Sequence, residues 1–314
     1  MVDLIYLKQK LFPIGLGTAQ LDMDYGFDNR LSEDEKKEFL AKINESNINF
    51  IDTAPAYGNA EKVLGNFLSI KGDKYIATKL TKIPLNLINN KNLLRKHVFD
   101  SIENSLDNLK VNRLDLLLLH QSEPELIFND SFKKILLELK HNQKILLIGV
   151  SVYERNILQK LLVDNFYDAI EINFSILDQR NLDLLDKIID NKLIIARSIF
   201  LRGMLTCPIK NIPPSLKKIK DKRLIIEKLA EEIGVDYLSI LINYPLCIKG
   251  INIIIVGMNN PSQIDKNLSY FDDKPMIKAN FSKFKELAIN DSNIVDPRRW
   301  KNNHKKVEGR KDSN

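Results

Sequence analysis

Eight short apolar runs alternate with longer amphipathic segments between about residue 12 and residue 270. The runs are rich in Ile, Leu and Val, and the segments between them repeat apolar residues at spacings of three and four. This pattern is typical of strands that are each followed by a helix. The predicted strands span residues 12–17, 49–52, 75–79, 114–120, 145–150, 169–173, 193–198 and 251–256.

The segments between these strands are predicted to be helices. The first begins at Ser32, where Ser32 and Glu35 can cap each other's backbone donors. Between the third and fourth strands, apolar residues recur at helical spacing from Leu93 to Leu109. The other predicted helices span 61–68, 131–141, 154–164, 181–191, 222–234, a segment from 237, 262–269 and a terminal helix at 282–289.

This number of strand-helix units favours an α/β fold, a (β/α)8 TIM barrel, which typically takes about 250 residues. The alternative is a doubly wound open sheet, which usually carries a glycine-rich phosphate turn after its first strand. Here Gly15-Leu16-Gly17 is followed by Thr18-Ala19-Gln20, without a third glycine. No linker divides the chain, so we predict one barrel domain with a C-terminal helix over residues 1–297. The basic segment 298–314 is predicted to be a flexible tail, because it is too polar to bury itself.

Composition argues against several other classes of protein. No apolar run reaches the roughly 18 residues that span a bilayer, and the N-terminus lacks a signal-peptide pattern, so we expect a cytoplasmic protein without a membrane partner. Two cysteines and scattered histidines predict no disulfide framework and no metal site. The net charge of +6 comes from lysines that alternate with acids, so no nucleic-acid partner is expected. Nucleic-acid binding through the basic tail is the competing hypothesis, and it predicts an affinity that falls steeply as the salt concentration rises.

Charged and polar residues stand where three consecutive predicted strands end. Asp52, Lys79 and His120 end the second, third and fourth strands, and Tyr57 follows Asp52 in the next loop. In a parallel barrel all strand carboxyl ends open on one face, and neighbouring strands lie about 4.8 Å apart. The sequence therefore predicts that these four side chains form one cluster.

These residue types suit proton transfer to a carbonyl group. A neighbouring ammonium group makes a tyrosine hydroxyl a better proton donor, so Lys79 is predicted to activate Tyr57, with Asp52 as the counter-ion of Lys79. His120 can donate a hydrogen bond to the carbonyl oxygen or relay a proton. No side chain donates hydride, so reduction implies a nicotinamide cofactor.

In these residues the chain resembles the aldo-keto reductase superfamily. The resemblance extends from Gly15-Leu16-Gly17-Thr18-Ala19-Gln20 to Asp296-Pro297-Arg298-Arg299-Trp300. It implies an eight-fold barrel that uses NADP(H), with NAD(H) possible, and that interconverts a carbonyl and an alcohol. It also implies that Tyr57 is the general acid, that Lys79 and Asp52 modulate it, and that His120 orients the substrate.

The resemblance further implies a set of cofactor-binding residues: Gly17, Thr18, Asp52, Ser151, Glu171, Arg197, Ser198, Phe200, Gly203, Gly257, Met258, Asn259, Gln263, Lys266 and Asn267. Val152 follows Ser151 where relatives have asparagine. Glu171 replaces a glutamine, and it either accepts from the nicotinamide amide or faces solvent. Arg197 replaces an aromatic residue and either stacks on the nicotinamide or forms a surface ion pair.

Two further positions bear on the choice of cofactor. Gln263 replaces an arginine of many NADP-using relatives, and Lys266 either supplies the missing charge or is an ordinary exposed helix lysine.

The substrate prediction rests on loops and on the opening motif. The loops after the fourth and seventh strands, 121–129 and 206–216, look short, which favours an open cleft for a bulky polar substrate. Gly17-Thr18-Ala19-Gln20 with Asp24-Tyr25-Gly26 resembles bacterial members of sugar pathways, so a sugar or small aldehyde is expected. A regulatory barrel that binds cofactor without turnover is the alternative, and the oligomeric state stays open.

Overall fold

Eight parallel strands close into a barrel in chain order, with the last strand paired to the first. This computed structural model describes residues 4–23, 31–68, 74–185 and 191–300. The strands are β1 (Ile14–Gly17), β2 (Phe50–Asp52), β3 (Tyr75–Lys79), β4 (Leu114–Leu119), β5 (Ile145–Val152), β6 (Ala169–Asn173), β7 (Leu193–Arg197) and β8 (Ile253–Gly257).

Helices precede, connect and follow the strands, and most of them cover the outside of the barrel. They are α1 (Leu4–Lys10), α2 (Glu33–Glu45), α3 (Ala60–Phe67), α4 (Lys91–Leu109), α5 (Pro124–Ile127), α6 (Asp130–His141), α7 (Arg155–Val163), α8 (Leu182–Leu185), α9 (Lys217–Ile233), α10 (Tyr237–Leu246), α11 (Pro261–Ser269), α12 (Lys274–Ala279), α13 (Phe281–Lys285) and α14 (Ser292–Val295). Short 3-10 turns at Ile209–Asn211, Pro214–Leu216 and Pro297–Arg299 belong to the connections. The predicted (β/α)8 TIM barrel is confirmed.

Successive side chains of each strand point to opposite faces of the sheet, and this divides the core into two layers. On β4, Leu116 and Leu118 belong to a cluster with Leu7 of α1 and Leu11, which follows α1. This cluster takes alternate residues of neighbouring strands and fills the barrel interior. Leu117 and its outward neighbours pack in the larger cluster, which joins the strands to the surrounding helices. Filled on both sides, the sheet is a rigid frame for side chains at its carboxyl edge.

Several predicted boundaries shift when the barrel forms. β5 extends to Val152, two residues beyond the prediction, because the polar Ser151 is buried as part of the strand. Helix α9 begins at Lys217 instead of 222. Its first turns are rich in lysine, but Ile219 and Arg223 are buried and give these turns a face that packs on the protein. The connection from β7 to α9 covers residues 198–216, so it is longer than the predicted loop 206–216.

Three sequence predictions involve residues outside the described ranges. Residues 301–314, most of the predicted tail, and the motif Asp24-Tyr25-Gly26 are not described, and neither are residues 186–190 of the helix predicted at 181–191. Arg298, at the start of the predicted tail, lies in a 3-10 turn and pairs with Asp296. Among the described helices, none combines the length and the apolar character that crossing a bilayer requires.

Candidate active site

A buried ion pair joins the ends of β2 and β3. The Nζ atom of Lys79 lies 2.5 Å from Oδ1 of Asp52 and 3.3 Å from the carbonyl oxygen of Thr53. The two side chains are only 1% and 6% exposed. A buried charge is costly unless it is paired, so each residue needs the other to remain ionised at this depth.

Tyr57 lies beside this pair in the turn after β2. Its ring centroid is 5.3 Å from Nζ of Lys79, and the residue is half-buried. The turn is fixed by backbone hydrogen bonds and by Gly58, which has a φ of +63°. Oδ2 of Asp22 accepts hydrogen bonds from both Asn59 N (2.7 Å) and Asn59 Nδ2 (3.0 Å). Asp22 therefore holds the segment that presents Tyr57.

His120 follows β4 and completes the predicted cluster. Its ring meets the ring of Tyr57 edge to face, with centroids 6.3 Å apart and an interplanar angle of 88°. The structure thus brings all four predicted catalytic side chains, Asp52, Tyr57, Lys79 and His120, together at the carboxyl ends of β2 to β4.

A second ion pair, which sequence reasoning missed, lies next to the first. Glu171 of β6 is fully buried, with Oε1 3.9 Å from Nζ of Lys79 and Oε2 3.4 Å from Nε of Arg197 on β7. The solvent-facing alternative for Glu171 is therefore wrong, and so is a surface ion pair for Arg197. The signal was present, because an acid flanked by isoleucines in a buried strand needs an internal partner.

Arg197 is held by further contacts around its guanidinium group. Its Nε lies 3.3 Å from Oγ of Ser151, and its Nη1 donates to Oδ1 of Asn173. The guanidinium carbon lies 4.1 Å from the centroid of the Tyr153 ring. The guanidinium of Arg298 lies 3.4 Å from the same centroid. Tyr153 and Arg298 were not among the predicted site residues.

Burial and charge set the protonation of the site. Burial lowers the pKa of Lys79, but the carboxylates of Asp52 and Glu171 outweigh burial and the net shift is upward. Burial raises the pKa of Asp52 to about 6 against the opposing effect of Lys79. Both groups are therefore ionised at neutral pH. Burial, with Lys79 adding to it, lowers the pKa of His120 to about 4, so its imidazole is neutral.

The predicted acidity of Tyr57 requires a correction. Lys79 does lower the pKa of Tyr57, as expected, but burial raises it by more, and the carboxylates of Asp52 and Glu171 add to the rise. Tyr57 is consequently a protonated phenol throughout the neutral range. The sequence indicated the neighbouring cation but not the loss of solvent around the hydroxyl group.

The predicted cofactor residues near the first strand have specific positions. Gly17 ends β1, and Thr18 follows it fully buried, with its hydroxyl donating to the carbonyl oxygen of Asp52 at 2.9 Å. Gly257 ends β8 and pairs with Gly17. Next to Gly257, Oε1 of Gln20 is buried and has no hydrogen-bond partner among the described residues. This acceptor is available to a bound molecule.

The loop after β7 has an unusual backbone. Ser198 and Gly203 both have positive φ angles, of 60° and 85°, and Phe200 lies between them, half-buried. Leu201 and Arg202 also have positive φ angles, and the backbone N–H groups of Leu201 and Gly203 donate to the carbonyl oxygens of Ser198 and Phe200 within the loop.

The segment after β8 contains the remaining predicted cofactor residues. Met258 is buried, and the backbone N–H of Asn259 donates to Oε1 of Gln263 at 2.9 Å. Asn267 is buried on α11. Lys266, on the same helix, has a side chain that is 57% exposed and lies 3.4 Å from Asp236. Gln263 thus has a local structural partner at the start of α11.

Comparisons with known proteins identify the family and the fold of this chain. The sequence profile of the aldo/keto reductase family matches residues 13–289. L-galactose dehydrogenase of Arabidopsis thaliana is 25% identical over 279 residues, covering 83% of this chain and 84% of that protein. The aldo-keto reductase YhdN of Bacillus subtilis (strain 168) is 25% identical over 278 residues, covering 80% of this chain and 82% of YhdN.

Among solved structures, the fold is similar to the holo form of the aldo-keto reductase AKR11C1 from Bacillus halodurans. The two superimpose with a TM-score of 0.67 at 20% sequence identity, over 90% of this chain and 95% of the other.

Proposed function

The chain belongs to the aldo/keto reductase family and is an oxidoreductase, and we propose that it interconverts a carbonyl compound and an alcohol with a nicotinamide cofactor. One observation supports this proposal above the others. Tyr57 lies between a buried ammonium group and a neutral imidazole, at the carboxyl ends of the strands where barrel enzymes place their active sites.

In the proposed reduction, Tyr57 donates its hydroxyl proton to the carbonyl oxygen. A nicotinamide cofactor, when bound, would supply the hydride for the carbonyl carbon. The carbonyl becomes an alcohol, and Tyr57 is left as a phenolate that later regains a proton from solvent. The raised pKa of Tyr57 keeps the proton in place until the substrate oxygen becomes basic.

Lys79 stabilises the phenolate that this step creates. Its ammonium is 5.3 Å from the ring, and burial makes the attraction stronger than it would be in water. Asp52 keeps Lys79 charged and oriented. His120 is neutral, so its ring can donate one hydrogen bond to the substrate oxygen without adding a competing positive charge.

The residues present fit a dinucleotide. In the proposal, Gln20 Oε1, Ser151 and the region around Glu171 and Arg197 hold the nicotinamide half. The positive-φ loop from Ser198 to Gly203 holds the pyrophosphate. The start of α11 holds the adenosine half through Gln263, Lys266 and Asn267. The buried Gln20 acceptor, which has no partner in the described part of the chain, supports this placement.

We propose NADP(H) as the preferred cofactor, with NAD(H) as the second choice. Lys266 is a cation on α11 that can pair with a ribose 2′-phosphate, although it must then exchange its contact with Asp236. No arginine occupies position 263 to strengthen that contact. A modest preference for NADPH is the expected result.

A sugar or a small aldehyde is the proposed substrate, and carbohydrate metabolism in the cytoplasm is the proposed setting. The plant relative named L-galactose dehydrogenase acts on a sugar, and it covers most of this chain. The chemistry of the site suits any carbonyl whose oxygen can lie between Tyr57 and His120.

Nicotinamide binding followed by turnover tests the proposal. Purified protein is titrated with NADPH and with NADH while nicotinamide fluorescence is followed, and oxidation of the bound cofactor is then assayed with aldehydes, ketones and reducing sugars. Binding with turnover of at least one class supports the proposal. Failure to bind either nucleotide contradicts it. Tight binding without turnover of any substrate would instead favour a regulatory barrel.

A further inference from the structure

Four charged side chains from four strands meet beside Tyr57. Asp52 and Glu171 are the carboxylates, and Lys79 and Arg197 are the cations. Lys79 lies between the two acids, at 2.5 Å from Asp52 and 3.9 Å from Glu171. Arg197 lies on the other side of Glu171, and its side chain is 15% exposed. With Tyr57 protonated and His120 neutral, the formal charges cancel.

We propose that Arg197 is a positioning residue that cancels the charge of Glu171, so that Lys79 acts on Asp52 and Tyr57 instead of being shared between two uncompensated acids. The catalytic consequence rests on the proposed function. The charge balance itself is a property of the folded chain, and it can be measured without cofactor or substrate.

The contacts of Arg197 fit this role. Asn173 and Ser151 hold its nitrogen atoms, and its flat face lies over the ring of Tyr153. Arg298 packs against the same ring and is tied to Asp296 and Glu154 by ion pairs. The guanidinium is therefore fixed next to Glu171.

Removing either Glu171 or Arg197 changes the electrostatic potential at the titrating groups of Tyr57 and His120. Loss of Arg197 leaves the fully buried carboxylate of Glu171 only partly compensated by Lys79. This uncompensated negative charge disfavours a phenolate at Tyr57 and favours a proton on His120. Loss of Glu171 has the reverse effect. Removing both restores neutrality, so the double variant should behave like the unmodified protein.

The titration of His120 measures this balance in the cofactor-free protein. Among the described residues, the charged groups that act on it are Lys79, Glu171 and Arg197, and the Tyr57 ring lies against it. The chain has four histidines, and His120→Asn assigns the signal in NMR spectra recorded against pH. We expect Arg197→Met to raise the pKa of His120 by roughly half a unit or more, Glu171→Gln to lower it, and the double variant to return it to the starting value.

Two controls separate charge from packing. Arg197→Lys keeps the cation and should leave His120 close to its original pKa. Arg155→Met removes an arginine from an exposed pair with Asp183 and should change nothing at His120. If Arg197→Met alone fails to fold, the addition of Glu171→Gln should recover folded protein, and a lack of recovery contradicts the proposal.

The pH dependence of alcohol oxidation provides the catalytic readout. Asp52, Lys79, Glu171 and Arg197 all act on Tyr57, which serves as the base in this direction. Arg197→Met should shift the rising limb of the pH–rate profile to higher pH. In the double variant the limb should return to the pH of the unmodified protein. A lower rate with an unmoved limb would indicate a purely structural role and overturn the proposal.

The outcomes distinguish this inference from the proposed function. If the His120 titration shifts as described but no variant oxidises or reduces any substrate, the charge assignment stands and the reductase proposal fails. If Arg197→Met leaves the His120 titration unchanged, the charge assignment fails whatever the activity.

Discussion

The ammonium nitrogen of Lys79 lies 5.3 Å from the centroid of the Tyr57 ring. A buried lysine from one strand and a tyrosine from the loop of the neighbouring strand are thereby coupled through a medium with little water. The coupling gives Lys79 two roles, because it balances buried carboxylates in the resting protein and stabilises a phenolate during proton transfer. Substitutions at this residue should therefore affect both folding and catalysis.

Lys79→Met should destabilise the protein by about 3–5 kcal/mol, because it leaves Asp52 buried without its partner and Glu171 with only Arg197. The free energy of unfolding from urea titration is the measurement. Lys96→Met is the matched control, since Lys96 forms an exposed pair with Asp100. It should change stability by no more than ~0.5 kcal/mol. Equal stability of the two variants would show that the buried network does not need Lys79.

The contribution of His120 to stability should fall as the pH is lowered through the range in which His120 titrates differently in the folded and unfolded chains. The folded pKa is lowered to about 4 from 6.5, so between these values the unfolded chain binds a proton that the folded chain does not. The contribution is complete above pH 6.5 and lost by about pH 4. Its full size is roughly 3 kcal/mol.

Comparing unfolding free energies at several pH values for the unmodified protein and His120→Asn tests this expectation. The difference between the two proteins should change over that range and level off above pH 6.5. A constant difference would mean that His120 has the same pKa in both states.

Gly58→Ala should disturb the turn that presents Tyr57. Residue 58 has a φ of +63°, and an added Cβ would lie 2.6 Å from Oδ2 of Asp22. The left-handed backbone alone costs about 1 kcal/mol with a side chain, and the clash displaces the carboxylate that holds Asn59. We expect a lower melting temperature and a lower turnover number. Gly234→Ala is the control, because residue 234 also has a positive φ (+73°) but open space around it. Similar turnover in the two variants would contradict a special role for the Asp22 contact.

Gln263→Arg should increase the preference for NADPH over NADH, because a guanidinium at the start of α11 can pair with a 2′-phosphate. The ratio of the two dissociation constants, measured by fluorescence titration at low and high salt, is the readout, and the gain should shrink in high salt. Gln263→Met controls for loss of the hydrogen bond from Asn259. An unchanged ratio would place the ribose phosphate away from α11.

The sequence was sufficient to predict the barrel and the four clustered side chains, for a physical reason. Asp52 and Lys79 each close an apolar run, and in parallel strands such residues must share one edge. The pairing of Glu171 with Arg197 was not predictable in the same way. It depends on two side chains turning towards each other across β6 and β7, which hydrophobic periodicity does not specify.

The protonation state of Tyr57 depends on how deeply its side chain is buried, which cannot be read from the sequence. A list of neighbouring charges predicts a lowered pKa, whereas the depth of burial reverses the sign. The end of β5 could not be predicted for a similar reason. In the sequence the polar Ser151 marks the end of an apolar run, but in the structure its hydroxyl accepts a hydrogen bond from Arg197 and the strand continues to Val152.

Turnover by Tyr57→Phe tests the central claim most directly, with nicotinamide binding measured on the same sample. Loss of the hydroxyl proton should lower the turnover number by roughly 10²-fold or more, while the dissociation constant of the preferred nucleotide changes little. Comparable turnover by the variant and the unmodified protein would contradict the assignment of Tyr57 as the proton donor.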